Sequence, residues 1–310
     1  MHISFVIPAY NCQATITETV ESIFDGNFTE GDEVIIVDDA SSDQTPAVIG
    51  ALATKYAAIR PLKHTINKGS AAAGRNTAID QAVHELIFCL DADNILVPGS
   101  IEQLKQYLLD TQADVAAFGE IHFFKDRNPE RIKKELYKTI FSPGVFTLAD
   151  ALRLNYWCGH SGNYLYKKET WKQAGRYNES IGGAYDSWAF GFCQLAKGCK
   201  LVKLENSYYL HRAGYESTFV KENRRLKGSL VALQVMMPFL DQIIEEDVEY
   251  IFGKDTRYTW FDDLEKRPIQ LRSGETGSGG LRVVQVNAHV KKLPVWKRIA
   301  AAVIREIRNP

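Results

Sequence analysis

Residues 88–94 read Phe88-Cys89-Leu90-Asp91-Ala92-Asp93-Asn94, an apolar run that stops at two carboxylates two positions apart. Side chains alternate faces along a strand, so Asp91 and Asp93 are expected to point the same way from a strand end. There they can reach one hard cation, or one cation and one ribose hydroxyl. Two anions this close repel a phosphate-bearing ligand unless a divalent ion such as Mg2+ or Mn2+ lies between them. A solvated turn after a buried strand uses the same residue types. Taken alone, the seven residues support both readings.

Two more strand ends carry polar clusters. Ser4-Phe5-Val6-Ile7 runs into Pro8-Ala9-Tyr10-Asn11, and Val34-Ile35-Ile36-Val37 runs into Asp38-Asp39-Ala40-Ser41-Ser42-Asp43. In an open parallel sheet ligands collect outside the carboxyl ends of the strands. All three clusters are therefore expected along one edge. Unrelated surface turns have no reason to place acids selectively at such ends.

The segments between these ends read as helices, giving a βαβα rhythm. A helix is expected over Ala14 to Phe24 with Gly26 as its stop, and a second opens with Thr45 as N-cap and Pro46 in its first turn. A strand over Ile59 to Lys63 and a helix over about Ser70 to Val83 follow, before the strand that ends at Asp91. The rhythm predicts an α/β fold with a mostly parallel sheet flanked by helices on both faces. Further on, Val115 to Phe124 reads as a strand, Glu130 to Ile140 as a charged helix, and Thr147 to Leu154 as a helix opened by a Thr-x-x-Asp cap. Tyr164 to Tyr166 reads as a strand, Lys168 to Ala174 and Ser187 to Lys197 as helices, and the chain beyond Arg212 as charged and helical. The small-residue run at 273–280 suits a flexible linker or loop. The chain divides into 1–215, with a first half at 1–110 that carries the three strand ends and a second half at 111–215, and a helical C-terminal extension at 216–310.

Composition narrows the class. A net charge of -1 over 310 residues argues against a general nucleic-acid binder. Five cysteines without a Cys-x-x-Cys pair fit a reducing, cytoplasmic setting. Ile3 to Ile7 is too short for a leader core, and the apolar stretch Leu230 to Leu240 is broken by Gln234 and Pro238, short of the roughly 20 residues a spanning helix needs.

The four motifs SFVIPAYN, VIIVDDASSDQT, NKGSAAAGRNTAI and FCLDADN, in this order, resemble those of the family 2 glycosyltransferases, inverting enzymes of the GT-A fold. The resemblance covers about Met1 to Arg212. It implies transfer of a sugar from a nucleotide-sugar donor, UDP-linked in this reading, to a glycan or lipid-linked acceptor in cell-surface polysaccharide synthesis, with a divalent metal (Mn2+ or Mg2+) as cofactor. Residue by residue, it implies that Pro8, Ala9, Tyr10 and Asn11 form the floor under the nucleoside and that Asp39 accepts from the base. Lys68, Gly69 and Arg75 would cover the base and diphosphate, Asp91 and Ala92 would meet the ribose, and Asp93 would hold the metal.

Inversion is a direct displacement, so a carboxylate opposite the leaving group must take the acceptor proton. The family usually shows Glu-Asp here, with an acid two residues later. This chain has Tyr185-Asp186-Ser187-Trp188, which leaves Asp186 as the candidate base; an Asp at this position also suits a helix cap. His211 matches a His that relatives place on the metal or diphosphate, although a lone His is often an ordinary polar residue. Trp157, His160, Tyr185 and Trp188 are candidate acceptor-stacking residues, or core aromatics. From Lys291 to Arg308 six cationic residues accompany Trp296, Ile299, Val303 and Ile307 at helical spacing, a pattern for an anionic membrane surface or for a terminal helix packed on the domain.

The rivals fit less well. A haloacid dehalogenase-type phosphatase also has Asp-x-Asp at a strand end, but its second acidic pair comes late, whereas Asp38-Asp39 comes early. A P-loop requires Lys and Ser or Thr where Arg75-Asn76 stand. A non-catalytic sugar- or nucleotide-binding member of the fold remains the alternative from another class.

Overall fold

The computed structural model describes residues 1–124, 138–140, 144–153, 162–183, 185–212, 231 and 234–243. Its first half follows the expected alternation: β1 (Ile3–Ala9), α1 (Ile16–Phe24), β2 (Glu33–Asp38), α2 (Thr45–Lys55), β3 (Ile59–Lys63), α3 (Ala71–Gln81), β4 (Leu86–Cys89), β5 (Ile95–Leu96) and α4 (Ser100–Asp110). The second half contributes β6 (Val115–Phe124), β7 (Lys138–Ile140), β8 (Gly144–Phe146), α5 (Leu148–Arg153), β9 (Leu165–Lys167), α6 (Lys168–Gln173), α7 (Asp186–Ala196) and β10 (Leu201–Arg212). A short 3-10 turn covers Met237–Gln242.

One ten-stranded sheet, ordered β3-β2-β1-β4-β9-β6-β10-β5 with β7 on β6 and β8 on β10, joins both halves. Strands β1 to β4 are mutually parallel; β9 opposes both β4 and β6, and β10 is parallel to β6. The carboxyl ends of β1, β2, β4, β6 and β10 therefore share one edge, and β9 begins at that same edge. This arrangement brings Asn163 and Gly162 to the ends of strands far away in sequence.

The central strands β1, β2 and β4 are buried on both faces, which is why they are nearly continuously apolar rather than alternating. On one face Ile16, Val20 and Ile23 of α1, Ile49 and Leu52 of α2, and Leu104 of α4 pack with Phe5, Ile7, Ile36 and Phe88. On the other, Ala72, Ala78 and Ile79 of α3 and Phe190 and Phe192 of α7 pack with Val6, Ile35, Cys89 and Tyr166. Helix α3 sits very close to β1. A Cβ on Gly74 would lie 3.0 Å from the Pro8 Cβ, so glycine permits the contact.

Several local readings change. Leu90 to Asn94 leaves the strand, which ends at Cys89, because Asn94 turns back to bond the Asp91 carbonyl. Pro8 belongs to β1 rather than to the turn after it. Thr45 is the first helical residue and not the cap; its hydroxyl accepts from the Cys12 N–H at 2.8 Å. Lys138–Ile140, the end of the expected charged helix, is a strand paired with Glu120 to His122. The Thr147–Asp150 box forms as expected, with Thr147 N–H donating to Asp150 Oδ2 at 2.8 Å and Asp150 N–H donating to Thr147 Oγ1 at 3.2 Å. The extension beyond 243, with the linker at 273–280 and the basic tail at 291–308, lies outside the described residues. Among the described residues no helix is long and apolar enough to cross a membrane.

Candidate active site

At the β1 and β2 ends the backbone is tied into a rigid shelf. Asn11 and Ala40 both take left-handed conformations (φ 46° and 56°), and the Asn11 carboxamide accepts from the Ser42 N–H at 2.8 Å. The Asn11 side chain thus joins the two loops. Ala9 is buried and its carbonyl accepts from the Asp39 N–H at 2.8 Å, while Tyr10 stands 52% exposed on the shelf.

Asp39 is buried where β2 ends. Its carboxylate accepts from the Lys68 N–H (3.0 Å to each oxygen) and from His64 Nδ1 (2.6 Å to Oδ1), and His64 Nε2 lies 2.9 Å from Thr77 Oγ1. Asn67 donates to the Asp39 carbonyl and accepts from the Gly69 N–H. The loop carrying Gly69 is therefore built around Asp39, leading into α3 through Ser70, whose hydroxyl accepts from the Ala72 N–H.

Arg75 projects from the first turns of α3 into the middle of the site. It is 3% exposed, its Nη2 bonds Asp91 Oδ1 at 2.6 Å and its Nη1 bonds Asp186 Oδ2 at 2.7 Å. Its guanidinium also lies 5.3 Å from the Tyr177 ring centre. Burial opposes the charge, but the two carboxylates outweigh that and hold Arg75 protonated well above its ordinary value. The sequence places Arg75 over the base and diphosphate; in this structure both of its Nη atoms bond carboxylates.

Asp186 begins α7, with Oδ1 accepting from the Ser187 N–H at 2.7 Å, so it serves the helix end as well. Burial pushes its carboxyl up, and Arg75 pulls against that shift. Asp91 is held from a third side by Asn163, whose Oδ1 accepts from the Asp91 N–H at 2.8 Å and whose Nδ2 donates to Asp91 Oδ2 at 3.3 Å. Gly162 has φ 86°, and a Cβ there would lie 2.8 Å from Asp91 Oδ2. Ala92 is buried, its carbonyl accepting from Thr15 Oγ1 at 2.9 Å.

Asp93 sits on the turn beyond β4. Burial, then the charge of Asp91, pushes its carboxyl up to about 7, with Arg212 opposing. Arg212 also fixes this turn, donating through Nε to the Asp93 carbonyl at 3.1 Å and pairing with Glu18. Its own N–H donates to Asn94 Oδ1 at 3.1 Å. His211 packs against Phe123 with ring centres 5.0 Å apart; burial draws its imidazolium below the ordinary range, and Asp91 pulls the other way. His211 Nδ1 is buried without a hydrogen-bond partner among the described residues. Asp93 is a desolvated carboxylate near Asp91, and His211 is a buried imidazole with an unused nitrogen; both are side chains that a divalent cation takes as ligands. Among the described residues no group of three or more His, Cys, Asp or Glu side chains is already drawn together as a metal cage.

The acceptor aromatics are corrected. Tyr185 has no exposed surface and Trp188 only 7%, both within the core cluster that includes Phe190 and Phe192. Neither offers a free ring face to a sugar. Trp157 and His160 lie outside the described residues.

Sequence reasoning missed Asn163, His64, Arg212 and Gly162. None carries a spacing signal: Asn163 reaches Asp91 only because β9 runs antiparallel to β4.

Comparison with known proteins gives the same frame. The family model described as glycosyl transferase family 2 matches residues 4–173. A poly(ribitol-phosphate) beta-glucosyltransferase of Bacillus spizizenii is 30% identical over 139 residues, 44% of this chain and 21% of that protein. The GalNAc(5)-diNAcBac-PP-undecaprenol beta-1,3-glucosyltransferase of Campylobacter jejuni is 26% identical over 263 residues, 83% of this chain and 78% of that protein. The crystal structure of S. aureus TarS 1-349 in complex with UDP-GlcNAc superposes with a TM-score of 0.62 at 18% identity, covering 81% of this chain and 71% of that one. That likeness shows the fold, a mixed, mostly parallel sheet flanked by helices.

Proposed function

The chain belongs to glycosyl transferase family 2, and from that premise we propose that it moves a sugar from a UDP-sugar to a hydroxyl of a glycan or lipid-linked acceptor, with inversion and with Asp186 as general base. The observation that carries this reading is the Arg75 bridge from Asp91 to Asp186. It holds the donor-side carboxylate of the β4 end and the acceptor-side carboxylate of α7 on one guanidinium, as a single displacement between two bound partners requires.

Donor binding follows from the shelf. The exposed Tyr10 ring supplies a face for a base, Asp39 supplies an acceptor for an N–H, and Asp91, clamped by Asn163, meets the ribose. Asp93 and His211 would hold Mn2+ or Mg2+, whose chemistry when bound is to neutralise the departing diphosphate. Asp186 takes the acceptor proton. Burial raises its basicity and the Arg75 guanidinium opposes that rise, the balance a general base uses. Relatives named for poly(ribitol-phosphate) and for an undecaprenol-linked glycan, and a neighbour crystallised with UDP-GlcNAc, support cell-surface acceptors and a UDP donor. A lipid-linked acceptor would also give the basic tail at 291–308 a membrane surface to meet.

The test is Asp186→Asn, assayed by UDP calorimetry and by transfer from UDP-sugars. The amide keeps the shape and loses the base, so UDP affinity should stay near wild type while kcat falls by roughly two to four orders of magnitude. Near wild-type turnover would assign the proton to another group. Wild-type protein that binds UDP-sugars and never turns them over would mark a binding protein of the same fold.

A further inference from the structure

We infer that His64 is the positioning residue for base recognition, holding Asp39 in the one orientation that selects a uracil-containing donor. This rests on the donor reading above and extends it to a residue the motifs do not contain.

The geometry fixes the roles. A carboxylate only accepts, so His64 Nδ1 carries the proton that is shared with Asp39 Oδ1 at 2.6 Å. Nε2 lies 2.9 Å from the Thr77 hydroxyl, a hydrogen bond that holds the far side of the ring. Both partners are largely buried, with side-chain exposures of 11% for His64 and 9% for Asp39, so water competes little for these bonds. The His64 N–H is itself held by the Asp38 carbonyl at 2.9 Å, which anchors the imidazole to the end of β2. With the Lys68 N–H, His64 fills Oδ1 of Asp39, whereas Oδ2 takes only a shared bond from Lys68. Oδ2 therefore keeps acceptor capacity in a fixed direction.

That remaining acceptor discriminates between bases. Uracil presents N3–H, a donor, at the middle of its Watson–Crick edge; cytosine presents a bare N3 acceptor at the same place, which a carboxylate repels. The discrimination depends on the carboxylate staying aimed. If the His64 bond is removed, Asp39 can rotate and present either oxygen, or water, to the base.

The experiment measures the ratio of CDP to UDP dissociation constants by calorimetry for wild type, Asp39→Asn, His64→Ala, His64→Asn and Thr77→Val, with melting curves to confirm folding. An Asn at 64 replaces the Nδ1–H donor with an amide N–H and keeps the bond to Asp39. We expect the wild type to favour UDP, Asp39→Asn to lose that preference, and His64→Ala to lose on the order of tenfold of it, as for a lost hydrogen bond to a charged group. His64→Asn should keep most of it, and Thr77→Val, which frees the far side of the ring without touching Asp39, should lose an intermediate share. His64→Ala with the wild-type ratio overturns the inference, as does His64→Asn falling as far as His64→Ala. If His64→Ala does not fold, Thr77→Val at the wild-type ratio overturns it instead. Wild-type protein without preference for UDP, or Asp39→Asn that retains it, would refute the donor reading rather than the role of His64.

Discussion

Replacing Arg75 with Met is the sharpest test of how this site is held together. The guanidinium is the cation shared by Asp91 and Asp186, and Asp186 is buried. Asp91, with a side chain 26% exposed, can recover solvation from water; Asp186, at 3%, cannot. Removing one partner of a buried ion pair costs about 3–5 kcal/mol, because the other is left as a buried uncompensated charge. At roughly 2–4 °C per kcal/mol for a domain of this size, the melting temperature at pH 8 should fall by about 6–20 °C. The sign with pH is fixed by Asp186. Burial already raises its folded-state pKa, and losing Arg75 raises it further. The penalty for such a group is absent below its unfolded pKa, grows as pH rises, and is complete above its folded pKa. Arg75→Met should therefore look nearly wild type toward pH 4 and far weaker at pH 8. Adding Asp186→Asn removes the stranded charge and should recover most of the loss at pH 8. Melts of wild type, single and double variants across this range provide the assay. A loss that is equal at every pH and unrelieved by Asp186→Asn would show that Arg75 contributes by filling space, and the bridge would carry no argument.

Four other expectations follow. The Asp93 carboxyl is pushed up to about 7, so its penalty in the ligand-free protein is absent below about pH 4 and complete above about 7; Asp93→Asn should raise the melting temperature at pH 8 and not at pH 4. The same variant should remove any difference between UDP affinity in Mn2+ and in EDTA, and a wild type with equal affinity in both would sink the metal assignment. Gly162→Ala must strain a backbone at φ 86° and push a methyl to within 2.8 Å of Asp91 Oδ2, costing about 1–2 kcal/mol of stability and weakening UDP binding; unchanged calorimetry would show that the 162–163 loop moves freely. Asn76→Leu strands the Trp171 Nε1–H and the Tyr177 N–H, both bonded to Asn76 Oδ1 at 3.0 Å, and should cost about 2–6 kcal/mol by chemical denaturation.

The first half of the fold was legible because strands buried on both faces read as apolar runs and their polar ends stop them abruptly. In the second half β6, buried along nearly its whole length, matches its expected limits for the same reason. The site was legible where its residues follow those strand ends: Asp39, Asp91 and Asp93 lie where the sequence places them. What stayed hidden depends on pairing between distant segments. Neither the antiparallel insertion of β9, which delivers Asn163, nor the end of β10, which delivers Arg212 to the Asp93 turn, has a local signature. Tyr185 and Trp188 were misplaced because an aromatic beside a candidate base has the same composition whether it faces a sugar or fills the core, and only the packing of α7 against the sheet decides.

Four consecutive residues of α3 explain why the motif around Arg75 is so dense. A helix turns about 100° per residue, so neighbours fan out in different directions. Gly74 brings the helix onto β1 at Pro8, the strand whose end forms the proposed nucleoside shelf. Arg75 then reaches Asp91 and Asp186. Asn76 spends its carboxamide on Trp171, Tyr177 and Glu179, fixing the segment that leads into α7 and so the approach of Asp186. Thr77 meets His64 and, through it, Asp39. One turn of helix thus sets Asp39, Asp91 and Asp186, the carboxylates proposed to read the base, meet the ribose and take the proton, relative to one another. Their spacing is a property of α3 seated on β1 more than of any loop. A larger residue at Gly74 should accordingly disturb UDP affinity, turnover and base preference together, whereas changes at Arg75, Asn76 and Thr77 should separate them.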